Sequence, residues 1–131
     1  MEWTQERIAR TNLAHVEGFG SRRLRLLQQS FDSASEAWLA PCASLVQLGI
    51  PRSIVEAFVA WRRTVDPHAA IERLEREGIR VVFPEDEEYP LLLRESSDRP
   101  EILFIRGAFP VEPAISIVGT RHISSYGKRC L

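Results

Sequence analysis

Gly119, Thr120 and Arg121, followed by Ser124 and Gly127 in the stretch ISIVGTRHISSYG, bring together the groups that hold a phosphate. A glycine admits a close backbone approach, threonine offers a hydroxyl and an N–H, and a guanidinium grips two oxygens at once. Ser124 is placed to cap a following helix or to meet a second phosphate oxygen. The spacing is not GxGxxG, which disfavours a dinucleotide, and no cofactor is expected. A second group of this kind lies in VEGFGSRRLRLL, where Gly18, Phe19 and Gly20 precede Arg22 and Arg23. Glycines in a turn between two helices let a phosphate reach the N–H groups of the second helix, and the arginines supply charge. Glu17 opposes an anion there, and a structural turn or a protein contact is the favoured reading of these residues.

Other chemistry finds little support. The acids of PEDEEYP fall in a loop with no obvious catalytic pairing, and His15, His68 and His122 are scattered. Cys42 and Cys130 lie far apart without a CxxC or Cys/His pattern, so neither a disulfide framework nor a zinc site is expected. The chain has 131 residues, 44% hydrophobic and 27% charged, with net charge −1, the balance of a globular protein. Charge is uneven: residues 1–65 hold eight arginines and six acids, whereas residues 66–131 hold nine Lys/Arg and twelve acids. A nucleic-acid site would therefore be a local patch rather than a field over the whole surface. There is no apolar run of membrane-spanning length and no basic-then-apolar leader, so the expected location is the cytoplasm, with no membrane partner.

The elements that must position these groups differ between the two halves. Residues 1–65 show helical periodicity: a helix capped by Thr4 with Glu6 near its start, one capped by Ser21 with Leu24, Leu27 and Phe31 on one stripe, two short pieces around Pro41, and one from Pro51 to Arg63. Asp66-Pro67 starts a further helix that stops at Gly78. Strands are expected at IRVVF (79–83), EILFIRG (101–107) and Ile115 to Val118, alternating with helical turns in an α/β sheet that is parallel in part. No internal repeat is visible. The fold class read from this pattern is α, then α/β.

Four blocks in this order, VEGFGSRRLRLLQQSF, DPHAAIERLEREGIRVV, YPLLLRESSDRPEILFIRG and ISIVGTRHISSYG, make the chain resemble the N-terminal part of the DNA-processing protein A family. The resemblance covers nearly the whole chain. It implies a helical domain over 1–65, helix-hairpin-helix or SAM-like, and over 66–131 the start of an extended Rossmann-like domain, incomplete at Leu131. It also implies single-stranded DNA as ligand, RecA recombinase as partner, homodimers of the full-length protein, a role in natural transformation, and no enzymatic activity. Gly119, Thr120 and Arg121 would belong to the phosphate pocket, followed by Ser124, Tyr126 and Gly127, with Tyr126 packing the helix. Thr120 stands where the family commonly has serine, and Glu17 where it has proline. Two other readings remain: a nucleotide-processing hydrolase of N-glycosidic bonds on a related Rossmann fold, and a helical protein-interaction module.

Overall fold

Thr4 begins the first helix as its residue type predicts, its hydroxyl accepting the Arg7 N–H at 3.3 Å to cap α1 (Gln5–Ala14). The computed structural model describes residues 2–108, 115, 118–122 and 124–130. In α2 (Ser21–Ser30) the cap residue is Gly20, not the expected Ser21, and no side chain closes the helix end. Gly20 already carries extended backbone, and its carbonyl accepts the Arg23 and Leu24 N–H groups, so Ser21 becomes the first helical residue. Ser33 caps α3 (Ala34–Leu39) through Glu36 N–H at 3.0 Å. Glu6, expected to serve its own helix dipole, instead reaches α3, where its carboxylate accepts Ala34 N–H at 2.8 Å. α4 (Cys42–Gln47) and α5 (Arg52–Arg62) complete the first half, joined by a turn in which Gly49 has φ +83°. The apolar stripes of these helices meet in one core that includes Leu13, Phe19, Leu27, Leu45, Val55 and Phe58.

Asp66 caps α6 (Pro67–Arg76) through His68 N–H at 2.9 Å, with Pro67 at the first helical position. The strands β1 (Ile79–Val82) and β2 (Leu103–Arg106) follow, separated by the single turn α7 (Leu91–Arg94). They pair antiparallel, with Ile79 opposite Arg106 and Val82 opposite Leu103. The expectation of a partly parallel sheet is thus corrected for the described residues. A parallel return needs a crossover, usually a helix, that carries the chain back along the strand, and one turn of helix between β1 and β2 does not supply it.

The expected third strand falls partly outside the described residues, which omit 116–117; Ile115 and Val118 are each 91% exposed. The short helix α8 (Gly127–Cys130) is the last described element. α1 packs against both α3 and α6. Buried Asn12 ties it to α6, its amide donating to Ile8 O at 2.9 Å and Pro67 O at 3.0 Å.

Candidate nucleic-acid interface

Which arginines are available to an anion depends on which ones the fold already uses. Arg7 and Arg10 lie one turn apart on α1, and both reach the acidic loop after β1. Arg7 forms a two-pronged pair with Asp86, both bonds 2.8 Å, and Arg10 pairs with Glu85. Their guanidinium carbons stand 4.6 and 4.0 Å from the centre of the buried Phe83 ring, so apolar packing and charge pairing act together.

The Arg7 hydrogen bond pulls the Asp86 carboxyl below its ordinary range against the effect of burial, and the Phe83 N–H adds to the pull. The resulting stabilisation is complete above the ordinary aspartate pKa of about 3.9 and is lost as pH falls through the depressed value. Asp86→Asn should therefore be less stable than wild type at neutral pH, with the gap closing as pH falls below about 4. Urea unfolding across that range measures the gap, and parallel pH profiles would refute the linkage.

Arg25 is also engaged. Its Nε donates to Glu101 at 2.7 Å, Nη1 to Ser97 O at 2.9 Å and Nη2 to Arg99 O at 3.1 Å. The receiving segment is itself pinned by Tyr89, whose buried hydroxyl donates to Pro100 O at 2.7 Å. Burial raises the Tyr89 phenol's pKa, with the nearby Glu101 carboxylate acting in the same direction. Arg94 closes the loop from the other side through Asp86 O at 2.7 Å and Tyr89 O at 3.2 Å. The YPLLLRESSDRPE block is thus a hydrogen-bonded strap leading into β2.

At the α1–α2 hairpin, Phe19 is buried and stacks 5.3 Å from Phe58, which holds the turn on the core. Gly18 has φ +87°, and a Cβ there would come within 3.0 Å of Ile54 Cδ1, so both backbone and packing require glycine. Arg23 donates to Gly18 O and braces the turn. Arg22 is exposed and makes no hydrogen bond or ion pair among the described residues. Of the two arginines predicted at this hairpin, one is a brace and one faces outward.

At the other predicted site, Gly119, Thr120, Arg121 and Ser124 are all exposed, and a Cβ on Gly119 would touch nothing within 4 Å. Thr120 Oγ1 accepts His122 N–H at 3.2 Å, and Ser124 O accepts Lys128 N–H at 3.0 Å. Gly127 begins α8. Tyr126, expected to pack that helix, is instead 71% exposed among the described residues. Arg121 has no hydrogen bond or ion pair among the described residues. Residues 113–131 contain Arg121, Lys128 and Arg129 and no acid, a local excess of charge in an otherwise acidic half. That excess is plain in the sequence once the stretch is counted separately. No backbone hydrogen bond joins this turn to the α1–α2 hairpin among the described residues. No group of three or more potential metal ligands occurs among the described residues, and none of their helices is long and apolar enough to cross a membrane.

Residues 80–131 match the family described as DNA recombination-mediator protein A. It is similar to Protein Smf of Synechocystis sp. (strain ATCC 27184 / PCC 6803 / Kazusa), with 28% identity over 123 residues. The match covers 88% of this chain and 31% of that protein, so the chain spans about a third of the length of this curated relative. No solved structure matches.

Proposed function

We propose that this chain is a non-enzymatic DNA-processing module that binds single-stranded DNA through the backbone and side chains of Gly119, Thr120, Arg121, Ser124 and Gly127. In the longer protein it would serve recombination during natural transformation in the cytoplasm, self-associating and handing the strand to RecA, with residues 66–131 opening a Rossmann-like domain behind the helical domain of residues 1–65. The observation that carries the reading is Arg121: an exposed guanidinium beside an unobstructed glycine, in an acid-free stretch inside the matched family region. Such a group meets phosphate without reading sequence.

Binding to single strands should then weaken with salt, log affinity falling against log salt with a slope of about −0.7 per phosphate neutralised. Arg121→Ala is expected to weaken binding similarly for all base sequences and to make that slope shallower by about 0.7. Fluorescence anisotropy of labelled oligonucleotides over a salt series measures it, and an unchanged slope would remove Arg121 from the site.

A further inference from the structure

The C-terminal end of α1 gathers negative charge beside an aromatic wall. A helix end carries partial negative charge on its last carbonyls, and no basic residue stands in the last turn of α1 to meet it. Glu17 follows just beyond, exposed, and its carboxylate makes no hydrogen bond or ion pair among the described residues. His15, the cap residue of α1, adds a further acceptor. Its Nδ1 lies 2.8 Å from Thr11 O, and because a carbonyl can only accept, Nδ1 carries the proton. Nε2 of the neutral ring is then an acceptor as well.

These groups border a groove of about 310 Å³ between the end of α1 and α5, lined by His15, Val16, Glu17, Ala57, Phe58 and Trp61. Val16 and Phe58 are buried and form its floor, whereas Ala57 is exposed and its small side chain leaves the groove open. Trp61 is half-buried, and Trp38 packs against it with ring centres 5.7 Å apart and planes at 79°, which holds the indole in place. The cations of α5 do not fill the space. Arg62 donates to Trp38 O and Ala40 O, and Arg63 is not among the lining residues. The volume lies at the lower end of the ~300–1,000 Å³ of ordinary ligand sites, enough for the end of one long side chain.

A ligand entering here meets a carboxylate, an imidazole acceptor, the negative end of a helix and an indole ring. Each of these favours a cation, and the two acceptors favour one with several N–H donors. A guanidinium meets all four conditions: it is always charged, it is flat enough to stack on an indole, and its fork matches a carboxylate. A lysine ammonium brings the charge without the flat face, and a phosphate is repelled by Glu17. We propose that this groove receives an arginine side chain of a partner protein, its guanidinium lying on Trp61 and pairing with Glu17. The site gives the helical half a protein-recognition role and does not rest on the reading of the chain as a single-strand binder.

The test is an NMR titration of the full 131-residue chain, labelled with nitrogen-15, with the peptide acetyl-Gly-Arg-Gly-amide and its lysine and citrulline counterparts. The arginine peptide should give a saturable shift gathered on the Trp61 indole N–H and the amides of His15, Glu17 and Ala57. The lysine peptide should bind several-fold more weakly, and the citrulline peptide, alike in shape but uncharged, about tenfold more weakly. Glu17→Gln should weaken the arginine peptide about tenfold, and Ala57→Arg, which sets a guanidinium in the groove beforehand, should weaken it by a similar factor. Both substitutions fall at exposed positions, so the core is left intact. A mixed-sequence single-stranded oligonucleotide should leave these resonances in place. Equal binding of the arginine and citrulline peptides, wild-type affinity in Glu17→Gln, or the lack of a saturable shift would overturn the site. Tighter binding of the oligonucleotide or of free agmatine at the same resonances would replace the partner protein with a nucleobase or a small cation and overturn the assignment. Shifts of these resonances on dilution of the chain alone would put a second copy in the groove and overturn it likewise.

Discussion

Arg25→Ala is expected to lower the free energy of unfolding by about 3–5 kcal/mol, the range for removing one partner of a buried ion pair. The pair is asymmetric: the Glu101 side chain is 4% exposed and that of Arg25 32%, so the carboxylate is the member that water cannot rescue. Without Arg25, the Glu101 carboxyl is left buried without its partner, and the Ser97 and Arg99 carbonyls lose their donors as well. Glu101→Gln should cost less than Arg25→Ala, because an amide oxygen still accepts from Nε and no buried charge is stranded. The double variant Arg25→Met with Glu101→Gln should recover much of the loss, since apolar replacement of buried pairs is often neutral. Urea unfolding of the three variants measures these differences. A loss below about 1 kcal/mol for Arg25→Ala would put the pair among exposed ones and refute its role as the strap between α2 and the segment before β2.

The second large effect belongs to Phe58. Phe58→Ala is expected to cost about 3–5 kcal/mol, the transfer and cavity cost of deleting a buried aromatic ring. Phe58 is 1% exposed and lies 5.3 Å from Phe19 and 5.5 Å from Trp38 by ring centres. The Arg62 guanidinium stands 5.2 Å from its ring, donating to Trp38 O and to Ala40 O at 2.9 Å. Burial lowers the Arg62 pKa, and the neighbouring Arg63 acts in the same direction.

Loss of the ring would leave Phe19 without its principal stacking partner and so loosen the hairpin as well as the core. Phe58→Leu, which keeps much of the volume, should cost far less than the alanine variant. Denaturant titration followed by tryptophan fluorescence tests this, because Trp38 touches Phe58 and lies 5.7 Å from Trp61. Equal losses for Leu and Ala would show that ring packing, not buried volume, sets the cost.

Much of the fold was legible from residue types alone. Thr4, Asp66 and the proline-led helix starts were read correctly because a cap is decided within a few residues by local hydrogen bonding. Leu24 and Leu27 were assigned to the core from their spacing, and both are buried. Ser21 misled because two candidate caps were adjacent, and backbone conformation rather than side-chain type chose Gly20. The sheet was harder still: IRVVF and EILFIRG read correctly as strands, yet a strand's composition does not state its partner's direction.

The candidate sites divide along the same line. Gly119, Thr120 and Arg121 were singled out as candidates for phosphate from their residue types alone, and the structure places all three at exposed positions. Arg22 and Arg23 looked alike in sequence and differ in the fold, one exposed and one bracing Gly18. The tasks of Arg7 and Arg25 were invisible for a plainer reason: their carboxylate partners are 79 and 76 residues away.

The order of residues by itself determined where most helices begin and which faces are apolar. Each of these depends on neighbours within a turn or two of chain. Only the tertiary structure decided which arginines are consumed by internal ion pairs, which way β2 runs against β1, and that Gly18 and Gly20 line one groove with Gly49 and Ile50. Those outcomes depend on contacts between distant parts of the chain, set by how whole elements bury their apolar faces against one another.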